Sequence, residues 1–158
     1  MTRDETKQIL AKLTILYPHF TVGDSVAGFK PTDVWHEMME DMDFEKVTQA
    51  LKVCVNKSKY PPTIGEIREV YDEIIASEKK EYYAIKNEFD RCRDYYPGSG
   101  TIDNGWKEFQ ERLTKAKAGM QIEAARYLAN KVFGYVHECE KSGTNPIEFA
   151  ECIRNIEV

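Results

Sequence analysis

Histidine and cysteine are scarce in this chain of 158 residues, and neither occurs at the spacing of a metal site. No second histidine follows His36 at the spacing of a zinc protease, and the other histidines are His19 and His137. The cysteines form no Cys-x-x-Cys pair and lie among apolar residues in helical patterns: Cys54, Cys92, Cys139 and Cys152. We therefore expect buried free thiols in a reducing cytosol, with no disulfide framework, metal ion or cofactor.

An excess of basic residues and long apolar runs are also absent. The 22 basic and 27 acidic residues give a formal net charge of −5, which does not favour a dedicated duplex-DNA-binding protein. The apolar runs are only a few residues long, so we expect no membrane-spanning segment and no membrane partner. The N-terminal sequence MTRDETKQIL is charged where a signal peptide is apolar, which favours a cytoplasmic protein.

Catalytic motifs are missing as well. The segment from Gly100 to Lys107 has the four-residue gap of a phosphate-binding loop, but Trp106 stands where that motif has its lysine. The pattern before this segment is helical, whereas a phosphate-binding loop follows a strand. No nucleophile–histidine pairing is evident, and the carboxylate pairs lie at acidic helix ends. The sequence therefore predicts that the chain is not an enzyme.

Helical periodicity dominates what the sequence does contain, and it predicts an all-α fold. Thr2 with Glu5 and Thr63 with Glu66 have the spacing of capping boxes, and Asp43 is placed to cap a third helix. The helix after Thr2 has apolar residues three or four positions apart: Ile9, Leu10, Leu13 and Leu16. The helix after Asp43 has a similar stripe: Phe44, Val47, Leu51, Cys54 and Val55.

A short methionine-rich helix is predicted between these two, with Thr32 as its N-cap. Helical spacing places Trp35, Met38, Met39 and Met42 on one face of this segment. This favours a place in the core, and a Met-rich adaptable groove for a partner is the alternative.

The longest helical pattern begins at Thr63, and its apolar stripe repeats at nearly the period of a coiled-coil seam: Ile67, Tyr71, Ile74, Glu78, Tyr82, Ile85, Phe89, Cys92 and Tyr96. This pattern predicts a helical N-terminal module over 1–76, a connecting part of the long helix over 77–96, and a second helical module over 97–158. It leaves open whether 63–96 form one helix or two with a hinge near Ser77. The stripe favours a spine on which both modules pack, and a dimer seam is the alternative. The expected architecture is a compact N-terminal bundle joined through the long helix to a second small module.

Three further helices are predicted after a break at Pro97–Gly100. The first begins near Asp103 and ends near Gly119. The second ends at Lys141-Ser142-Gly143. The last begins at Asn145-Pro146, with the asparagine as N-cap and the proline at the first helical position.

Two groups of residues are candidates for partner binding. Lys57, Lys59 and Tyr60 follow a helix in the first half, and Lys52 lies about one turn before them. The alternative role for these lysines is to complement the helix dipole. In the second half, aromatic rings and arginines have the chemistry to stack single-stranded bases, and inward packing is their alternative role: Arg91, Arg93, Tyr95, Tyr96 and Trp106.

Three segments of the first half carry a resemblance to a known family: Trp35-His-Glu-Met38, Met42-Asp-Phe-Glu-Lys-Val-Thr-Gln-Ala-Leu51 and Lys59-Tyr-Pro-Pro-Thr-Ile-Gly-Glu-Ile-Arg68. A tryptophan helix, a helix ending in an Ala-Leu stripe and a Pro-Pro-Thr-Ile-x-Glu-Ile turn follow one another over roughly residues 5–75. This part of the chain resembles the bacteriophage loader/inhibitor of the replicative helicase.

The second half is similar to a module of phage and prophage replication proteins. In that module a Tyr-Pro with glycines precedes a tryptophan-bearing helix, here Tyr96–Gly100 followed by Trp106. A longer helix with tyrosine and a late proline-containing segment come next, here Tyr127 or Tyr135 and then Asn145-Pro146.

The resemblance implies a small helical adapter that binds the replicative helicase hexamer in the cytoplasm of a bacterial host. It would hold the helicase inactive, deliver it to a replisome organiser at the origin, or do both. In the family the C-terminal part is flexible until it meets the helicase. Here residues 85–156 have strong periodicity, so we expect them to fold by themselves.

Other functions stay open from the residues alone. One alternative is a small acidic phage protein that inhibits a host nucleic-acid-processing machine by direct binding. It would use a short ladder of carboxylates: Glu37, Glu40, Asp41 and Asp43. A single-stranded-DNA-binding module would use the aromatic residues of the second half, although the acidic balance predicts only weak or indirect nucleic-acid binding. A structural or chaperone role in phage assembly is the remaining alternative.

Overall fold

The computed structural model describes residues 1–98 and 100–157. Within these residues there are seven helices and no strand, and one isolated β-bridge joins Val26 to Phe29. The predicted all-α class is therefore confirmed. The helices are α1 (Arg3–Leu16), α2 (Pro31–Met39), α3 (Phe44–Lys57), α4 (Ile64–Tyr95), α5 (Ile102–Leu113), α6 (Gln121–Ser142) and α7 (Phe149–Arg154).

The chain divides into two compact units, Met1–Glu78 (unit 1) and Lys79–Val158 (unit 2). α4 is one continuous helix over Ile64–Tyr95, which the sequence pattern left open, and it contributes its residues up to Glu78 to unit 1 and the rest to unit 2. Among residues 1–98 and 100–157, none of the helices combines the length and the apolar character of a membrane-spanning segment.

Unit 1 packs α1, α2, α3 and the first part of α4 around one apolar core, formed by residues that include Ile9, Leu13, Met39, Met42, Val47, Ala50, Leu51 and Ile67. The predicted capping signals are confirmed at three helix starts. Thr2 and Glu5 exchange hydrogen bonds before α1, and the Asp43 side chain accepts a backbone N–H at the start of α3. Thr63 and Glu66 form the second capping box before α4.

The start of α2 differs from the prediction. Lys30 is the N-cap and Pro31 occupies the first helical position, so the prediction of Thr32 as N-cap is wrong. Proline suits this position because its fixed φ is helical and because the first N–H of a helix has no intrahelical acceptor.

Two apolar side chains of unit 1 lie at the surface although the sequence pattern placed them in the core. Met38 is 49% exposed and Leu16 is 50% exposed, whereas Met39 and Met42 are buried as predicted. Met38 and Met39 are adjacent, and a helix turns by about 100° per residue, so the two cannot share one buried face. Leu16 lies in the last turn of α1 and lines a surface groove between α1 and α3.

Unit 2 has its own core, built around the ring of Phe89 on α4. Its centroid lies 5.4 Å from that of Phe109, 5.8 Å from that of Phe149 and 5.0 Å from that of Trp106. The apolar face of α6 completes this core with Ala125, Leu128, Ala129, Val132 and Val136. The left-handed Gly143 ends α6, as predicted for the Lys-Ser-Gly segment.

Two helix boundaries in unit 2 differ from the prediction. α5 ends at Leu113 rather than near Gly119, and turns with i→i+3 hydrogen bonds follow it. α7 begins at Phe149, so the prediction of a helix starting at Asn145-Pro146 is wrong. The predicted break at 97–100 includes Ser99, which lies outside the described residues.

The late start of α7 has a tertiary cause at Ile147. The Tyr96 hydroxyl donates a hydrogen bond to the Ile147 carbonyl at 2.7 Å, and the Ile147 N–H donates to the Tyr135 hydroxyl at 3.1 Å. Both backbone groups of Ile147 are thus engaged by side chains, which favours the non-helical conformation over the local helix signal.

Candidate partner-binding surfaces

The predicted basic group of unit 1 lies at the C-terminal end of α3. Lys57 is the last residue of that helix, and Lys59 and Tyr60 follow it in an exposed loop. Tyr60 is 79% exposed, and its N–H donates to the Ser58 hydroxyl at 3.1 Å. The Tyr17 hydroxyl donates to the Ser58 carbonyl at 3.3 Å, so the loop that presents these side chains is fixed to the core.

A surface groove between α1 and α3 was not predicted from the sequence. It has a volume of about 670 Å³ and is lined by Lys12, Ile15, Leu16, Thr48, Leu51, Lys52, Val55 and Asn56. The buried Leu51 forms part of its wall, while Ile15 is 80% exposed and Leu16 is 50% exposed. Burying one such side chain contributes about 1.5–3 kcal/mol, so these residues favour association with a partner.

The polar residues of this groove are basic or neutral. Lys12 lies over the Phe44 ring, 4.9 Å from its centroid, and donates to the Thr48 hydroxyl at 3.3 Å. Lys52 lies exposed on α3. Neither lysine forms an ion pair with a carboxylate in the part of the chain that the structure describes. The groove therefore combines apolar walls with two available cations.

A second apolar feature of unit 1 is a tight turn in the loop between α1 and α2. Val26 and Phe29 exchange backbone hydrogen bonds of 3.1 and 2.9 Å, and their side chains are 74% and 69% exposed. The turn requires positive φ at both central residues, +52° at Ala27 and +85° at Gly28. The sequence Val26-Ala-Gly-Phe29 by itself carries only a weak signal for such a turn.

The arginines and Tyr95 of unit 2 are partly used by unit 2 itself. Arg91 pairs with Glu88 at 2.9 Å, and its guanidinium carbon lies 5.2 Å from the Phe133 ring centroid. Tyr95 is 48% exposed and packs edge-on against Phe133. Arg93 is half-buried. The structure therefore brings Arg91 and Tyr95 together at the surface around Phe133.

The other two aromatic candidates of unit 2 belong largely to its core. Tyr96 is 6% exposed, and burial raises the pKa of its hydroxyl. Trp106 is half-buried, and its ring contacts those of Phe89, Phe109 and Tyr82. Their structural role in the core agrees with the inward-packing alternative, and any role of Tyr96 in stacking a base would require it to leave the core.

The four cysteines are buried free thiols, as predicted. Among the described residues there is no group of three or more His, Cys, Asp or Glu side chains that could hold a metal ion.

Most of unit 1 is similar to a known protein family. Residues 1–68 match the family model for the N-terminal domain of gp39P, a phage helicase-binding protein, which confirms the resemblance of the N-terminal half to the phage helicase loader/inhibitor family. No curated protein and no solved structure matches the chain. The matched residues include α1, α2, α3, the capping box before α4, the α1/α3 groove and the Lys57–Tyr60 loop.

Proposed function

From the premise that residues 1–68 are similar to the N-terminal domain of the phage helicase-binding protein gp39P, we propose that this protein binds the replicative helicase hexamer of a phage or its bacterial host. The family match over most of unit 1 is the observation that carries this proposal. The exposed apolar and basic side chains of unit 1 support it, because a binding protein needs such a surface.

The proposed action is to hold the helicase in one conformation. A binding protein shifts its partner between states only as far as its affinities for those states differ. We therefore propose that the protein prefers one nucleotide state of the helicase, keeps it inactive, and delivers it to a replisome organiser at the origin.

We propose that the helicase is contacted by those residues of the two predicted groups that lie at the surface. In unit 1 they are Lys57, Lys59 and Tyr60, which are exposed together at the end of α3. In unit 2 they are Arg91 and Tyr95, with the half-buried Arg93 beside them in sequence. Tyr96 and Trp106 are proposed to support this surface from the core of unit 2.

Complex formation tests the proposal. The full chain is mixed with the purified replicative helicase, with and without ATP, and the mass of the eluting species is measured by light scattering. We expect the hexamer to gain mass in multiples of 18.3 kDa in at least one nucleotide state. A hexamer of unchanged mass in both states would refute helicase binding.

A matched pair of variants tests the predicted contacts of unit 1. Lys57→Glu with Lys59→Glu is expected to weaken the complex, whereas Lys79→Glu with Lys80→Glu changes the net charge equally and is expected to leave it intact. A separate experiment tests the DNA-binding alternative: the unchanged protein is titrated with single-stranded DNA while its tryptophan fluorescence is followed. Strong salt-sensitive quenching, without helicase binding, would favour the DNA-binding alternative.

A further inference from the structure

The α1/α3 groove of unit 1 presents apolar side chains beyond what its core uses. Leu51 is already buried in the core, yet Ile15, which lines the groove with it from the last turn of α1, is 80% exposed. On α3 the groove extends from Thr48 to Asn56, about 12 Å at 1.5 Å per residue. This length corresponds to roughly two turns of a partner helix.

The backbone of the groove favours a helical occupant over an extended one. Its lining residues belong to α1 and α3, whose interior N–H and C=O groups bond within each helix. An extended peptide would find no strand edge to pair with, and its own backbone groups would lose their water. A helix satisfies its own backbone and needs only an apolar face.

The positive charge of the groove favours a partner helix with acidic side chains. Lys12 from α1 and Lys52 from α3 stand among the lining residues, and no carboxylate is among them. This contrasts with the chain as a whole, which has a net charge of −5. A partner with acidic side chains beside an apolar stripe complements both properties.

We propose that the α1/α3 groove binds an acidic amphipathic helix of the helicase, with apolar residues at three- and four-residue spacing against Ile15, Leu16 and Val55. Acidic side chains of that helix pair with Lys12 and Lys52. This inference rests on the proposed function and specifies the segment of the partner that is recognised.

Photocrosslinking identifies the occupant directly. Benzoylphenylalanine replaces Ile15 in the full chain, the complex with purified helicase is irradiated, and the crosslinked peptide is identified by mass spectrometry. We expect one helicase segment with net negative charge and helical apolar spacing. A basic segment, a segment without that spacing, a crosslink between two copies of this chain, or no crosslink within a formed complex would overturn the inference.

Two sets of variants measure how much the groove contributes to the affinity for the helicase. We expect Lys12→Glu with Lys52→Glu, and separately Ile15→Ser, to raise the Kd for the helicase at least tenfold. Ile15 is mostly exposed, so its replacement tests the groove without removing a core side chain. The control, Lys79→Glu with Lys80→Glu, has the same change in net charge and is expected to stay within twofold.

The outcomes separate the two proposals. If the unchanged protein binds the helicase and all groove variants bind equally well, the groove inference fails and the proposed function stands. If the unchanged protein does not bind in any nucleotide state, both fail.

Discussion

Two glycines in helices of unit 2 differ in the space around them, and this difference predicts opposite effects of the same substitution. A Cβ on Gly105 would lie 2.6 Å from Cδ1 and 2.8 Å from Cε1 of Phe149, whereas a Cβ on Gly134 would meet nothing within 4 Å. Gly105→Ala is therefore expected to destabilise the protein by about 1–3 kcal/mol, because the core ring must move. Gly134→Ala is expected to stabilise it by about 0.5–1 kcal/mol, because alanine favours a helix.

Chemical denaturation of the two glycine variants measures these changes in the free energy of unfolding. Equal effects at both positions, or a stabilising Gly105→Ala, would contradict the packing of Phe149 against α5.

The buried thiols make a second prediction at the residue scale. Burial raises the pKa of Cys92 to about 12 and that of Cys152 to about 11, and it also raises the pKa of Cys54. The thiolate is the reactive form, so Cys92 and Cys152 are expected to react only slowly with Ellman's reagent at pH 8 in the native protein. All four cysteines should react promptly in denaturant. Prompt labelling of Cys92 in the native state would contradict its burial.

At the scale of elements, one ion pair ties α5 to α7. Arg154 donates to Glu108 Oε1 from two nitrogens, at 3.0 and 2.6 Å, and this contact lowers the pKa of Glu108. A carboxyl with a lowered folded-state pKa stabilises the protein above its unfolded pKa, and this contribution disappears as pH falls through the folded pKa. Arg154→Met should therefore cost stability at pH 7 and cost less at pH 3.

The measurement is the difference in unfolding free energy between Arg154→Met and the unchanged protein at the two pH values. Glu108→Gln serves as the partner variant and should show the same trend. A cost that is equal at pH 7 and pH 3 would show that Arg154 acts through packing and not through charge.

The elements themselves were largely predictable because their signals are local. Capping residues and apolar spacing within one segment located the starts of α1, α3 and α4. The start of α7 was not predictable, because hydrogen bonds from Tyr96 and Tyr135 to Ile147 override the local Asn-Pro signal. These partners are distant in sequence, and periodicity within one segment carries no information about them.

The candidate site was less predictable than the fold, for a related reason. Lys57, Lys59 and Tyr60 are nearly contiguous in sequence, so the sequence alone could propose them as contacts. The α1/α3 groove joins residues 12–16 to residues 48–56, and only the packed structure brings these segments together. Leu16 shows that apolar spacing alone does not predict burial, because its spacing fits the buried stripe of α1 and yet it lies exposed in the groove.

At the scale of the whole molecule, we propose that the two units unfold as separate cooperative domains. Each contains one tryptophan, Trp35 in unit 1 and Trp106 in unit 2, so fluorescence can follow each unit by itself. In a Trp35→Phe background, Gly105→Ala should lower the unfolding midpoint reported by Trp106. In a Trp106→Phe background, it should leave the midpoint reported by Trp35 unchanged. Equal shifts of both midpoints would mean that the chain unfolds as one cooperative domain.

We propose that this protein binds a replicative helicase and prefers one of its nucleotide states. The most direct test is to titrate the full chain against the helicase with a non-hydrolysable ATP analogue and, separately, with ADP. We expect binding, with Kd values that differ at least tenfold between the two states, which corresponds to about 1.4 kcal/mol. Equal Kd values would contradict the proposed preference for one nucleotide state, and no binding in either state would contradict helicase binding itself.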